Sequence, residues 1–231
     1  GQVLGGGHGV VFVADGQRVP ARWDLADGPA GSTRLPGVAT PEHLLAAVMG
    51  LGITDLVVHL EGAEVPHLDG SALPWVQALG ETTCTGTVRA RTVDSPVVVE
   101  AFGGIARLLP CDRLELVVRV DFGPGLRGDF ELVVTPDSFV RELCWARTFV
   151  PHASLPDQVA SGRGRGAGPG DVVVWGPRGP LVPVRSVDEP VRHKALDALG
   201  DLALAGPLVA RFEVERGSHA LHLAALRAWL G

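Results

Sequence analysis

The sequence has few cysteines and no spacing that would make them structural. The chain has three cysteines, an odd number, and they lie far apart without a C-x-x-C pair (Cys84, Cys111 and Cys144). Disulfide scaffolds and zinc fingers depend on paired or closely spaced cysteines. Both classes are disfavoured, and we expect a reduced, cytoplasmic setting.

Long apolar runs and basic blocks are also missing. Charged residues or glycines interrupt every apolar stretch within about 18 residues, which is the length that a membrane-spanning helix needs. The N-terminus has no basic segment followed by an apolar run, so no signal peptide is visible. The 20 Lys and Arg residues against 26 Asp and Glu give a net charge of −6. We therefore expect no membrane span and no nucleic-acid partner.

The remaining composition is that of a folded globular protein. The chain has 231 residues, of which 46% are hydrophobic and 20% charged. These values allow a sizeable core and argue against disorder. We expect a monomer with one large domain or two small ones.

The residue patterns predict a mixed order of strands and helices. Period-two patterns predict strands at 10–13, 18–21, 56–60, 97–101, 114–122, 130–135 and 209–214, and a hairpin at 172–175 and 181–184. Helix patterns and capping residues predict helices at 40–50, 73–79, 137–146, 190–206 and 218–230, with Thr40 as the N-cap of the first. This order predicts an α+β fold of two similar sheet-plus-helix domains, 1–88 and 89–231. A Gly/Arg-rich loop near 151–170 interrupts the second domain.

A polar stripe lies on the predicted helix at 190–206. His193 and Asp197 are four residues apart, and Asp201 is four further, so all three share one helix face beside an apolar stripe. Polar groups at such a position cost free energy unless they have partners. A metal ion would satisfy His193 and Asp197 together. The alternative is a solvated face with an i, i+4 His–Asp pair.

Glu42 and His43 fall in the first turn of the predicted helix at 40–50. A carboxylate at a helix start is partly explained by the helix dipole, but His43 precedes inward-facing leucines and is harder to explain. Two histidines and one carboxylate (His43, His193 and Asp197) leave an open position, as in catalytic zinc sites. The same set can hold iron(II). A Glu beside a ligand is well placed to take a proton from water, which favours hydrolysis.

His219 follows Ser218, the predicted N-cap of the last helix. A helix N-terminus disfavours protonated histidine, whereas an acid catalyst must begin protonated. A buried carboxylate would restore the charge, and Asp201 is the candidate. The alternative is that His219 is an ordinary residue of the first helical turn.

Five stretches resemble the UDP-3-O-acyl-N-acetylglucosamine deacetylase family of lipid A biosynthesis. They are TPEHLLAAVMGLGI (40–53), EVPHLDGSALPW (64–75), ARTF (146–149), VRHKALDALGDL (191–202) and GSHAL (217–221). The similarity runs in order from about Gly9 to the end of the chain.

The resemblance implies two α+β domains packed face to face, with zinc between them on His43, His193 and Asp197. It implies that Glu42 is the general base and that His219, held by Asp201, acts on the leaving amine. Two further roles come from the resemblance alone: Thr148 would support the oxyanion, and Lys194 would contact the substrate near its phosphate. Phe149 of the same ARTF stretch is expected to contact the substrate, an N-acetylated sugar or UDP-sugar.

Two departures from the family concern the start of the chain and the acyl chain. The family's first strands precede the residues that match from Gly9, so we expect an N-terminally trimmed or divergent member. The 151–170 segment has few large apolar residues, where the family builds an acyl passage. We therefore expect activity to depend weakly on acyl length. Arg163 and Arg165 would either reach phosphates or remain solvated.

The sequence leaves three functions open. The first is the UDP-3-O-acyl-N-acetylglucosamine deacetylase itself. The second is a related zinc deacetylase whose N-acetylated sugar carries no long acyl chain. The third is a non-catalytic sugar-nucleotide-binding homologue.

Overall fold

A computed structural model describes residues 8–29, 31–80, 89–123, 126–160, 168 and 170–231. In this part of the chain the helices are α1 (Glu42–Gly50), α2 (Leu73–Leu79), α3 (Pro136–Glu142), α4 (Leu155–Ala160), α5 (Glu189–Leu202) and α6 (His219–Leu230). Two short 3₁₀ turns are His152–Ser154 and Ala203–Ala205. No described helix is long and apolar enough to cross a membrane.

The strands form several sheets. They are β1 (Val10–Ala14), β2 (Gln17–Pro20), β3 (Arg34–Leu35), β4 (Val38–Ala39), β5 (Leu56–Leu60), β6 (Arg91–Thr92), β7 (Val97–Ala101), β8 (Gly104–Leu109), β9 (Glu115–Asp121), β10 (Arg127–Val133), β11 (Phe149–Pro151), β12 (Val173–Gly176), β13 (Gly179–Pro180), β14 (Leu208–Val209) and β15 (Arg211–Glu215). The mixed α+β class predicted from the sequence is confirmed.

The first sheet has three strands in the order β2-β1-β5. β1 and β2 are antiparallel, and β5 runs parallel to β1. The predicted turn between β1 and β2 is present, with φ of 49° at Asp15 and 77° at Gly16. Two successive positive φ angles suit the right-handed twist of a two-residue hairpin.

The second sheet has five strands in the order β10-β9-β15-β8-β7. β15 runs parallel to β9 and antiparallel to β8. Helix α5 packs against β9 and β10, whereas α6 packs against β7 and β8. Strand β8 was not predicted from the sequence, although Gly104, Ala106 and Leu108 alternate as buried positions.

Helices α1 and α5 pack directly against each other. The contact is close because Gly200 has no side chain: a Cβ there would lie 2.1 Å from the backbone oxygen of Glu42. Buried side chains from both helices, including Leu44, Leu45, Leu196 and Leu199, belong to one hydrophobic core. This packing brings the amino-terminal turn of α1 beside the middle of α5. The division into domains 1–88 and 89–231 stays a prediction.

A third sheet has the strand order β11-β12-β13. The predicted hairpin is present, but its second strand is β13 (Gly179–Pro180), and the prediction of a strand at 181–184 is wrong. The prediction of loop throughout 151–170 is wrong for Leu155–Ala160, which is helical. Arg163 and Arg165 lie outside the described residues.

The start of α1 differs from the prediction. Thr40 is not the N-cap, because its φ is +53° and Pro41 holds the cap position without a side-chain hydrogen bond. The Thr40 hydroxyl instead donates to the carbonyl of Val65 over 3.2 Å. The predicted Ser218 cap is confirmed, since its hydroxyl accepts from the backbone N–H of Leu221.

Candidate active site

Helices α1 and α5 bring His43, His193 and Asp197 together. Their possible ligand atoms all lie within 4.8 Å of one another. Nε2 of His193 is 3.3 Å from Oδ1 of Asp197, and Nε2 of His43 is 3.6 Å from the same oxygen. We call these three residues the candidate ligand triad. Their side chains converge, as a site for one divalent ion requires.

The surroundings of His193 fix its tautomer. Its Nδ1 lies 3.1 Å from the carbonyl oxygen of Ala146, which accepts only, so Nδ1 carries the proton. Burial is the main reason that the pKa of His193 falls to about 4, and the neighbouring His43 adds to this, although Asp197 opposes it. His193 is therefore neutral, and its Nε2 lone pair faces the other two members of the triad. A carbonyl behind a ligating histidine is a common supporting contact in metal sites.

Asp197 is a buried carboxylate beside a cation. Burial alone would raise its pKa, but Lys194 and His193 hold the pKa well below the ordinary value. Nζ of Lys194 lies 2.8 Å from Oδ2 of Asp197. Lys194 is the only lysine in the chain. The structure thus places it against the triad itself.

Glu42 lies at the start of α1 and is buried. Burial raises its pKa, although His219 and His43 act in the opposite direction. Its Oε2 accepts a hydrogen bond of 3.2 Å from the backbone N–H of Thr33. A carboxylate whose pKa is raised is a better proton acceptor than an ordinary one.

His219 and Asp201 form the pair that the sequence predicted. Nδ1 of His219 lies 2.8 Å from Oδ2 of Asp201, and both residues are buried. Burial alone would lower the pKa of His219, but Asp201 outweighs it and the pKa rises to about 9. The other ring nitrogen, Nε2, is 3.9 Å from Oδ2 of Asp197. His219 is thus protonated at neutral pH beside the triad.

Phe149 borders the triad through its ring, and two backbone hydrogen bonds hold the preceding residue, Thr148. The N–H of Thr148 donates to the carbonyl of Gly70 over 2.8 Å, and its carbonyl accepts from Val173 over 2.8 Å. The ring of Phe149 meets the His193 ring edge-on, with 6.3 Å between centroids. Thr148 therefore sits between two residues that contact His193, namely Ala146 and Phe149.

A buried ion pair, missed in the sequence analysis, holds this segment in place. The guanidinium of Arg147 donates to both carboxylate oxygens of Glu189, at 2.8 and 3.0 Å. It also donates to the carbonyls of Gly170 and Pro183. The pair ties the ARTF segment and β12–β13 region to the first turn of α5.

Two further residues missed from the sequence contact Asp201. The Thr33 hydroxyl lies 2.5 Å from Oδ1, and Nδ1 of His222 lies 2.7 Å from Oδ2. His222 follows His219 by three residues, so helical spacing could have placed it on the same face. Thr33 is 168 residues from Asp201, and no local pattern links them.

Comparison with known proteins identifies the family. The family model for UDP-3-O-acyl N-acetylglycosamine deacetylase matches residues 4–230. A UDP-3-O-acyl-N-acetylglucosamine deacetylase of Solibacter usitatus is 37% identical over 237 residues, covering 96% of this chain and 80% of the relative. Those of Anaeromyxobacter dehalogenans and a Nostoc species are 35% and 32% identical, covering 95% and 92% of this chain and 76% and 82% of theirs. The chain belongs to the UDP-3-O-acyl N-acetylglycosamine deacetylase family.

Proposed function

We propose that this chain is a zinc-dependent amidohydrolase that removes the N-acetyl group from a UDP-3-O-acyl-N-acetylglucosamine-like sugar, releasing acetate and a free amine. One observation carries the proposal. Two buried groups lie beside the candidate ligand triad: Glu42, which can accept a proton, and His219, which can donate one. Family membership supports the choice of reaction.

The donor set of the triad fits zinc. Two neutral imidazole nitrogens and one carboxylate are the ligands of an open catalytic site, and the buried His193 already has the tautomer that ligation needs. Bound zinc acts as a Lewis acid on a carbonyl and lowers the pKa of water to about 7. Iron(II) accepts the same ligands, so the metal identity has to be measured.

The protein's own groups supply the proton transfers. Glu42 takes a proton from water as the water oxygen forms a bond to the acetyl carbonyl carbon. The Thr148 hydroxyl donates to the carbonyl oxygen as that oxygen becomes negative. His219 then gives its Nε2 proton to the amide nitrogen as the carbon–nitrogen bond breaks. Asp201 keeps the charged His219 ring in place, and Lys194 would contact the substrate near its phosphate.

The same proposal extends to the architecture. The triad draws His43 from α1 and His193 and Asp197 from α5, on either side of the predicted domain boundary. We infer that two α+β domains pack face to face and that the metal lies between them. The α1–α5 contact at Gly200 supports this arrangement.

An apolar cluster next to Phe149 supports an acylated substrate. Leu126, Val173 and Trp175 form a small core, and the partly buried Phe149, Val182 and Val184 pack against it. The ring of Phe149 also meets Phe122, with 5.6 Å between centroids. The partly buried members of this cluster would line part of an acyl passage, in which each buried methylene would contribute about 0.8 kcal/mol.

One observation favours the alternative, a related deacetylase whose sugar substrate carries no long acyl chain. Helix α4, in the segment where the family builds its passage, has no buried residue in its described span. Leu155 and Val159 are its large apolar side chains, and Val159 is 67% exposed. Such a helix does not by itself enclose an acyl chain.

Mass spectrometry of reaction products tests the function and separates the two substrates. Metal-loaded protein would be incubated with UDP-N-acetylglucosamine and with its 3-O-acylated forms of increasing chain length. The proposal expects loss of one acetyl group from the 3-O-acylated sugar. A steep rise of kcat/KM with acyl length supports the acylated substrate, and a flat dependence supports the alternative. Binding without acetate release from any sugar would point to the non-catalytic homologue.

A further inference from the structure

Three donors from two parts of the chain surround the Asp201 carboxylate. The Thr33 hydroxyl contacts Oδ1, whereas Nδ1 of His219 and Nδ1 of His222 both contact Oδ2, at 2.8 and 2.7 Å. All four residues are buried. His219 has a place in the proposed reaction, but His222 does not.

The contact with Asp201 determines which ring nitrogen of His222 carries the proton. An ionised carboxylate only accepts hydrogen bonds, so the ring nitrogen facing it must carry a proton. That nitrogen is Nδ1. The Thr33 hydroxyl, which donates to Oδ1, lies 3.1 Å from Nδ1 of His219 and accepts from it there.

The far side of the His222 ring has no polar partner among the described residues. Its Nε2 is buried and makes no hydrogen bond within that part of the chain. The ring of Phe212 meets the His222 ring edge-on, with 5.8 Å between centroids. A Cβ on Gly217 would lie 2.7 Å from Nε2 of His222. A second ring proton would be a buried donor without an acceptor, which costs free energy. Burial accordingly lowers the pKa of His222.

A second metal site is a poorer explanation of this group. Ligand atoms of Asp201, His219 and His222 do lie within 4.8 Å of one another. However, both Nδ1 atoms sit at hydrogen-bond distance from a single carboxylate oxygen. Protons account for those contacts completely, and a metal would have to displace both of them.

We propose that His222 is a positioning residue, a neutral imidazole that donates its Nδ1–H to Asp201 and so holds the carboxylate in the orientation that pairs with His219. Thr33 holds the opposite oxygen. This proposal rests on the proposed deacetylase function for its catalytic consequence. The hydrogen bond itself does not depend on that function.

A matched pair of variants separates positioning from packing. In His222→Asn the amide nitrogen takes the place of Nδ1 and can still donate, whereas His222→Leu keeps the branching at Cγ without a donor. The Leu variant should lose about 10- to 100-fold in kcat, as for other supporting contacts behind reacting groups. Its KM should change little, because His222 contacts Asp201 and is not among the residues proposed to bind the substrate. The Asn variant should keep most of the activity.

Circular dichroism and bound-metal content would confirm that both variants are folded and loaded. A Leu variant as active as the wild type would overturn the proposal, as would an Asn variant as impaired as Leu. A wild-type protein that releases no acetate would instead refute the proposed function. The two failures are therefore distinguishable.

Nitrogen-15 NMR of the metal-loaded wild type gives a second readout that needs no variant activity. The ¹⁵N shifts should report a neutral His222 ring with the proton on Nδ1. The His222→Asn spectrum assigns the signal among the eight histidines of the chain. A proton on Nε2 at neutral pH, alone or together with one on Nδ1, would contradict the assignment.

Discussion

Glu42 experiences two opposing effects at the residue scale. Its place in the first turn of α1 favours the ionised form, because the amino-terminal end of a helix is positive. Burial disfavours that form, and burial is the larger effect, so the pKa of Glu42 is raised. The result is a carboxylate that accepts a proton more readily than an exposed glutamate would.

Replacing Glu42 by glutamine removes the proton acceptor and keeps the size of the side chain. The Glu42→Gln variant should bind the same amount of metal as the wild type, because the triad is intact. Its turnover should fall by about 10²–10⁴-fold, the usual contribution of a general base. Steady-state kinetics and metal analysis of the purified variant measure the two quantities.

The exposed Glu61 offers a matched control for this prediction. Glu61→Gln should leave both turnover and metal content unchanged. If Glu42→Gln lost its metal, Glu42 would hold the site together instead of transferring a proton. Full turnover in Glu42→Gln would remove it from the mechanism.

At the scale of helices, Gly200 controls how closely α5 approaches α1. Alanine in a helix interior is ordinarily more favourable than glycine by about 1 kcal/mol. Here the sign should reverse, because the added Cβ would lie 2.1 Å from the Glu42 carbonyl oxygen. Gly200→Ala should destabilise the fold by about 1–3 kcal/mol, as overpacking does.

Urea denaturation measures this effect, and metal affinity should fall with it, because α1 carries His43. Ala198→Gly, two positions away on the same helix, makes the opposite change and should cost at least about 1 kcal/mol, from helix propensity and from the lost contacts of its buried methyl group. A Gly200→Ala protein more stable than the wild type would show that the two helices can move apart freely.

The Arg147–Glu189 pair makes stability depend on pH. Burial would raise the pKa of Glu189, but Arg147 and two backbone N–H groups outweigh it, so the pKa is lowered from 4.5. A lowered pKa means that the stabilisation is fully present above the unfolded-state pKa. It is lost as pH falls through the folded-state value.

Glu189→Gln should therefore lower the free energy of unfolding at neutral pH by about 3–5 kcal/mol, since it leaves the buried Arg147 cation unpaired. The difference in unfolding free energy between the variant and the wild type should narrow below about pH 4.5, because the Glu189 carboxyl of the unfolded wild type begins to take up a proton there. Denaturant unfolding at pH 7 and at pH 4 measures both the loss of stability at neutral pH and its narrowing in acid. A difference that stayed constant between them would mean that the charge of Glu189 contributes nothing.

Contacts within one helix followed from residue spacing, whereas contacts between distant segments were predicted only where a chemical requirement linked the two residues. His193 and Asp197 follow from their i, i+4 spacing, and Asp201 could be proposed as the partner of His219 because a charged histidine needs a carboxylate. Thr33, the Arg147–Glu189 pair and strand β8 were missed, since they depend on segments brought together by the fold. The Thr40 cap failed because Pro41 and the contact with Val65 override the local preference for a threonine cap.

At the scale of the whole molecule, a metal ion on the triad would join α1 to α5. A ligand bound to the folded state alone stabilises it by about 4 kcal/mol when its free concentration is a thousand times Kd. Chelation should then lower Tm by roughly 10 °C for a chain of this size. Differential scanning calorimetry with and without a chelator measures the shift.

The control for this prediction is His43→Ala, which removes the ligand from α1. Chelator should shift the Tm of that variant much less than that of the wild type. Equal shifts in the two proteins would place the stabilising metal elsewhere in the chain.

The central claim is that one metal ion on His43, His193 and Asp197 enables deacetylation. Titration of zinc into metal-free protein, with acetate release from a UDP-3-O-acyl-N-acetylglucosamine as the readout, tests it directly. The account predicts that activity rises from near zero and levels off at one equivalent of zinc, and that Asp197→Asn stays inactive throughout. Acetate release that is independent of added zinc, or none at any zinc level, would contradict it.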